Sequence, residues 1–118
     1  MPVTVHPLTH PNERDLAELQ RLAVEQSQCA SYRNAWQRWQ DDPASVDLQV
    51  ARFNERIVAV ALVRQGVIVG FAVRAATRGR GVGQRLLTVL MADRDYDVAD
   101  DLNTVTRDFI ARHRPAPR

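Results

Sequence analysis

The chain has 118 residues and a formal net charge of +2, with 16 cationic residues against 14 acidic ones; every cation is arginine. That length suits one domain spanning 1–118 with a core of its own, and so small a basic excess gives no ground for nucleic-acid binding. The absence of lysine excludes Schiff-base chemistry on a lysine amine. No run is long and apolar enough to cross a bilayer, and Met1–Pro7 lacks the charged start and apolar stretch of a secretory signal. The one cysteine, Cys29, has no partner for an internal disulfide and reads as a small buried hydrophobe. A cytoplasmic location is the expectation.

Val3 to Leu8 reads as a first strand. Asn12, with Asp15 three residues on, supplies an N-cap and a first-turn acid. Leu16, Leu19, Leu22 and Ala23 then recur at helical spacing, for a helix of about five turns. Ser31 is placed to cap a second helix over Tyr32–Gln40, and Asp41-Asp42-Pro43 stops it. Trp36 and Trp39 share one face of that helix, to pack on a sheet or to stack on an adenine. Val46 to Phe53 alternates as a half-buried strand, and Asn54-Glu55 turns the chain. Ile57 to Val63 is continuously apolar, as a central strand is. Gln65-Gly66 makes a second hairpin into Val67–Val73. Gly70 there marks either a bulge or the close approach of a neighbour.

The next segment, Thr77-Arg78-Gly79-Arg80-Gly81-Val82-Gly83-Gln84-Arg85, lies between that strand and the helical pattern Leu86-Leu87-Val89-Leu90-Met91. A strand, a glycine-rich basic turn and a helix start together form an anion-binding device. The first helical N–H groups have no intrahelical partner and favour negative charge. Arg78, Arg80 and Arg85 add guanidinium donors suited to phosphate. A P-loop is excluded because it needs Gly-Lys-Ser/Thr. A dinucleotide fingerprint is excluded because Gln84 stands where its third glycine is required. Asp93 to Asp101 is acidic and weakly periodic. Its Asp-x-Asp-x-Asp spacing lacks the glycine and glutamate of a calcium loop, so it reads as a solvated loop with no metal. Leu102, Val105, Phe109 and Ile110 give a last amphipathic helix, ended by Arg112, Arg114 and the prolines at 115 and 117.

The pattern Arg78-Gly79-Arg80-Gly81-Val82-Gly83 resembles the Arg/Gln-x-x-Gly-x-Gly/Ala loop of the Gcn5-related N-acetyltransferase (GNAT) superfamily, at every fixed position. Ala51-Arg52-Phe53-Asn54-Glu55-Arg56 and Val73-Arg74 further resemble the aspartate 1-decarboxylase autocleavage activators, the PanM/PanZ family, with the similarity running from about Asp47 to Leu90. The fold implied is α/β (α+β): a mixed, mostly antiparallel sheet flanked by helices, shortened at the C-terminus, where no late strand is visible. The resemblance implies a loop, Arg78 to Gln84 (Arg78, Gly79, Arg80, Gly81, Val82, Gly83, Gln84), that binds the pyrophosphate of acetyl-CoA or CoA. It implies that the backbone of Phe71, Ala72 and Val73 pairs with pantetheine. It also implies a regulator that docks through Arg52, Asn54 and Arg56 on aspartate 1-decarboxylase, both proenzyme and mature enzyme. Such a regulator promotes self-cleavage to the pyruvoyl form and thereby controls β-alanine and pantothenate synthesis.

The alternative is an N-acetyltransferase moving acetyl from acetyl-CoA to an amine. That reaction needs a base for the amine and an acid for the thiolate. Superfamily enzymes often carry a glutamate near the fourth strand and a late tyrosine. Val67–Val73 holds no acid, Tyr96 lies in the acidic loop, His113 is near the chain end and Glu55 is in a turn. No catalytic residue is assigned.

Overall fold

A computed structural model describes residues 3–92 and 94–114. Strand β1 (Thr4–Pro7) leads into helices α1 (Glu13–Glu25) and α2 (Ala30–Asp41), then strands β2 (Asp47–Phe53), β3 (Arg56–Arg64) and β4 (Val67–Val73). Helix α3 (Val82–Leu90), a short strand β5 (Asp97–Val98) and helix α4 (Thr104–His113) follow. The strands lie in the order β1-β2-β3-β4-β5. The first four are mutually antiparallel and β5 runs parallel to β4. This is the mixed, mostly antiparallel α/β sheet that the sequence implies.

Every residue from Ile57 to Val63 is buried, so helices cover both faces of β3. Helices α1 and α2 pack together on β3 and β4, while α3 packs with α4 and against β2 and β3. Successive residues of β4 show the two sides: a Cβ on Gly70 would lie 2.7 Å from the Tyr32 ring of α2, whereas Phe71 meets Phe109 of α4 at 6.0 Å between centroids. The register against β3 also slips here, with Leu62 opposite Gly70 and Val63 opposite Ile68. Both readings of Gly70 therefore hold: Val69 is the extra residue of a bulge, and Gly70 admits a neighbour. Burial of the Tyr32 ring pushes its phenol pKa well above the ordinary range.

Several local expectations are corrected. Helix α1 has 13 residues, about three and a half turns rather than five. Its start is as read: Asn12 and Asp15 form a reciprocal capping box. Helix α2 begins at Ala30, with Cys29 at the N-cap and no side-chain cap of its own. Ser31 is not the cap. Its N–H donates to the Asp101 carboxylate at 2.8 Å, from 70 residues away, and hydrogen bonding from Ser31 holds that carboxyl below its ordinary pKa. Cys29 is buried, as expected. The two tryptophans are stacked at 5.4 Å and buried, with the Trp36 indole N–H donating to Gln20. The acidic stretch is not wholly loop, because Asp97 and Val98 pair with Val67 and Ile68. A late strand therefore exists; it was invisible in sequence because two residues carry no periodicity. Asp93 and the prolines at 115 and 117 lie outside the described residues.

Candidate functional site

Strand β5 accompanies β4 only as far as its first residues, the last bond being Ala99 N–H to Ile68 C=O. Beyond that point no described residue pairs with the outer edge of β4. The Arg74 N–H bonds Val58 C=O on β3. By alternation the N–H and C=O groups of Phe71 and Val73 then face the open edge. The Val73 carbonyl shows this directly, since it accepts the Arg78 Nε–H at 3.2 Å. Ala72 instead faces β3, opposite Val60.

The open edge forms one wall of a cleft of about 640 Å³. Its floor and far wall come from the loop and helix that follow β4. Helix α3 starts earlier than its apolar pattern suggests, at Val82, inside the glycine motif. Its N-cap is Gly81, at φ 78°, a left-handed conformation in which a side chain is disfavoured. The first helical bond is Arg85 N–H to Gly81 C=O. The N–H groups of Val82, Gly83 and Gln84 thus have no helical acceptor, and Gly81 offers no side chain to cap them. A Cβ on Gly79 or Gly81 would meet nothing within 4 Å. The backbone there is open around both glycines. Gly83 serves packing instead. A Cβ there would lie 3.0 Å from Phe109 and 3.1 Å from Val73, so its absence lets α3 close onto β4 and α4.

The structure brings Phe71, Ala72, Val73, Arg78, Gly79, Gly81, Val82, Gly83 and Gln84 to this one cleft. Arg80 is exposed and does not line it. Arg78 is exposed, and its one carboxylate contact among the described residues is with Glu25 at 3.9 Å. The sequence reading missed the other wall, Asn103, Val105, Thr106, Phe109 and His113 of α4 and its cap, together with Gln26 and Thr77. The Phe109 and His113 rings meet at 4.6 Å between centroids, tilted by 49°, and Val105 is 80% exposed at the rim. The available signal was the spacing of Val105, Phe109 and His113 on one helical face. The ionisable residues among the described lining are Arg78 and His113. Tyr96 is engaged elsewhere, beneath Arg94 at 4.7 Å. Neither tryptophan lines the cleft. No described helix is long and apolar enough to cross a membrane.

The second candidate cluster lies at the β2–β3 turn. Arg52 grips Asp15 with two bonds, of 2.8 and 3.0 Å, and its Nε–H donates to His6 Nε2 at 2.9 Å. The Asp15 hydrogen bond raises the Arg52 pKa, and the same pairing, against the cost of burial, lowers that of Asp15. Arg56 bonds Glu18 at 3.1 Å with its side chain 43% exposed. Asn54 is exposed at the tip of the turn, at φ 51°.

Comparison with known proteins places this geometry in context. The sequence model of the family described as "Acetyltransferase (GNAT) domain, PanZ" matches residues 2–113. The match extends well beyond the segment 47–90 on which the resemblance rested. No curated protein sequence matches significantly. Among solved structures, a ribosomal-protein-alanine N-acetyltransferase from Brucella melitensis biovar Abortus 2308 superposes with a TM-score of 0.71 at 16% identity, over 98% of this chain and 93% of that one. The E. coli protein YhhK, solved bound to coenzyme A, gives a TM-score of 0.68 at 23% identity, over 100% of this chain and 94% of that one. A GNAT family acetyltransferase from Elizabethkingia anophelis, with acetyl-CoA bound, gives 0.55 at 18% identity, over 76% and 56% of the two chains. At such identities the likeness establishes the GNAT fold.

Proposed function

Since this chain belongs to the GNAT acetyltransferase domain family of PanZ type, we propose that it is an acetyl-CoA- or CoA-binding regulator that docks on aspartate 1-decarboxylase. The observation that carries the reading is the pairing of an uncapped α3 N-terminus with an open β4 edge in one cleft. The donors of Val82, Gly83 and Gln84 suit a pyrophosphate, and the backbone groups of Phe71 and Val73 that face away from β3 suit an extended chain carrying amides of its own. Arg78 would exchange its bond to the Val73 carbonyl for the phosphate charge, freeing that carbonyl for pantetheine. Bound acetyl-CoA supplies an activated acyl thioester. In the regulator reading this chain's residues hold the ligand and do not transform it.

Docking is assigned to the β2–β3 turn, with Asn54 as the contact at its tip and Arg52 and Arg56 flanking it. Docking on the proenzyme promotes the self-cleavage that creates the pyruvoyl group, and docking on the mature enzyme restrains it. Acetyl-CoA supply is thereby coupled to β-alanine and pantothenate synthesis. A second reading, acetyl transfer to an amine, draws on His113, whose imidazole lines the cleft and offers a base.

Calorimetry with acetyl-CoA and CoA, followed by a proenzyme cleavage assay, tests the proposal. Micromolar, saturable binding and ligand-dependent cleavage are expected. Absence of binding, alone and with the proenzyme, overturns it. Steady release of free thiol from acetyl-CoA with an amine, abolished in His113→Ala, would favour the second reading.

A further inference from the structure

The two tight hairpin turns of the sheet solve one stereochemical problem in different ways. Both place two consecutive residues at positive φ: Gln65 at 53° and Gly66 at 78° in the second, Asn54 at 51° and Glu55 at 67° in the first. Two-residue turns of this hand favour Asn-Gly or Asp-Gly, because the second position penalises a side chain. The β3–β4 turn has its glycine. The β2–β3 turn has an ordinary L-residue, Glu55, at that position and needs external support.

The support comes from the first turn of α1. Arg52 Nη1–H donates to the Glu55 carbonyl at 3.1 Å while the same guanidinium is locked on Asp15, itself 3% exposed. Arg14 donates to the same carbonyl at 3.3 Å. Asp15 is in turn oriented by the Asn12 capping box. His6 Nε2 accepts from the remaining Nε–H of Arg52, and its Nδ1 lies 2.9 Å from the Pro7 carbonyl. The Arg52 head is therefore engaged on several sides within the molecule.

We infer that Arg52 is a positioning residue: with Asp15 and Arg14 it clamps the Asn54–Glu55 turn in its left-handed conformation and so presets the edge from which Asn54 docks. The inference rests on the proposed partner reading and alters it in one respect. Arg52 acts through Glu55 and Asn54, and the residues that meet the partner are Asn54 and the more exposed Arg56. Preset turn geometry favours binding because the ordering cost is met before the partner arrives.

The test uses the full chain and three variants, Asp15→Asn, Glu55→Gly and the two combined. Amide hydrogen exchange is followed at Arg56, which pairs with Phe53 to close the turn, and at Val60 in the centre of β3 as a control. Asp15→Asn is expected to lower Arg56 protection at least tenfold relative to Val60. It is also expected to weaken docking on the decarboxylase proenzyme at least tenfold, with acetyl-CoA affinity within twofold of the parent. Adding Glu55→Gly, which tolerates the left-handed conformation unaided, is expected to restore docking to within about threefold.

A general loss of stability alone would lower protection at both amides by the same factor and would not be rescued by glycine; that result overturns the clamp. Unchanged Arg56 protection in Asp15→Asn overturns it as well. If the parent chain does not dock on the proenzyme at all, the partner reading fails, and the exchange comparison still decides the clamp by itself.

Discussion

The protein has two arginine-rich turns, and they use arginine in different ways. At the β2–β3 turn the Arg52 guanidinium is committed inside the molecule, to Asp15, while Arg56 bonds Glu18 and stays partly exposed. At the β4–α3 loop the backbone carries the design, through an uncapped helix start and a left-handed glycine, while Arg78 stays exposed with one distant carboxylate. The composition of the two segments is similar; their surroundings are not. The first packs beside the acidic first turns of α1, which contribute Asp15 and Glu18. The second faces a cleft whose described lining holds no carboxylate. An arginine itself buried on an acid is committed to the scaffold, whereas one left exposed keeps its donors available.

The sharpest way to break this contrast is Gly81→Asp. A carboxylate set about 4 Å from a phosphate costs roughly 4 kcal/mol at the dielectric of a protein surface. Acetyl-CoA affinity should therefore fall about a thousandfold by calorimetry. Binding within threefold of the parent would remove the loop from the site. Next is Asp15→Ala, which strands the Arg52 charge. Loss of one partner of a buried pair costs about 3 kcal/mol or more; with Arg52 19% exposed, about 2–3 kcal/mol is expected in chemical denaturation, with acetyl-CoA affinity unchanged.

The same pair sets a pH response. The Asp15 carboxyl titrates in the folded protein below its ordinary value of 3.8, so its contribution to stability is complete above that pH. It is lost as pH falls through the lower folded value. Denaturation midpoints measured from about pH 6 down to about pH 2 should show this loss in the parent, and a flatter profile in Asp15→Ala.

Arg78→Ala should do the reverse of Asp15→Ala. Its contact with Glu25 is long and solvent-exposed, so stability should change by less than about 0.5 kcal/mol. Acetyl-CoA affinity should fall about tenfold, as one charge-assisted phosphate contact is removed. Equal losses of stability in Arg78→Ala and Asp15→Ala would erase the distinction between the two turns. The smallest effect is expected for Asp101→Asn, which weakens the acceptor that Ser31 N–H uses at the start of α2. An exposed cap of this kind contributes about 0.5–1 kcal/mol, measurable as a small shift in thermal midpoint.

Much of this was legible locally. The Asn12–Asp15 capping box, the two hairpin turns and the glycine spacing of the loop all concern residues within a few positions of one another. Sequence periodicity and turn chemistry report such short-range geometry directly. The alternation of Val46–Phe53 and the continuous apolar run of Ile57–Val63 announced a half-buried strand beside a central one. The long-range partners were not legible. Nothing near Arg52 in sequence predicts that Asp15, 37 residues earlier, will accept from both of its terminal nitrogens. Nothing near Ser31 points to Asp101. The α4 wall of the cleft was read as an amphipathic helix without its role. Its exposed Val105 and its Phe109–His113 ring contact have meaning only once Gly83 has let α3 close against them.

The amino-acid order by itself determined strands β1 to β4, the start of α1, the class of fold and the glycine spacing of the Arg78–Gln84 loop, because each follows from backbone propensity and hydrophobic period over neighbouring residues. The tertiary structure alone decided which arginines remain available for a ligand. That outcome depends on where distant carboxylates come to rest and how much water they keep, and only the packed sheet and helices set either.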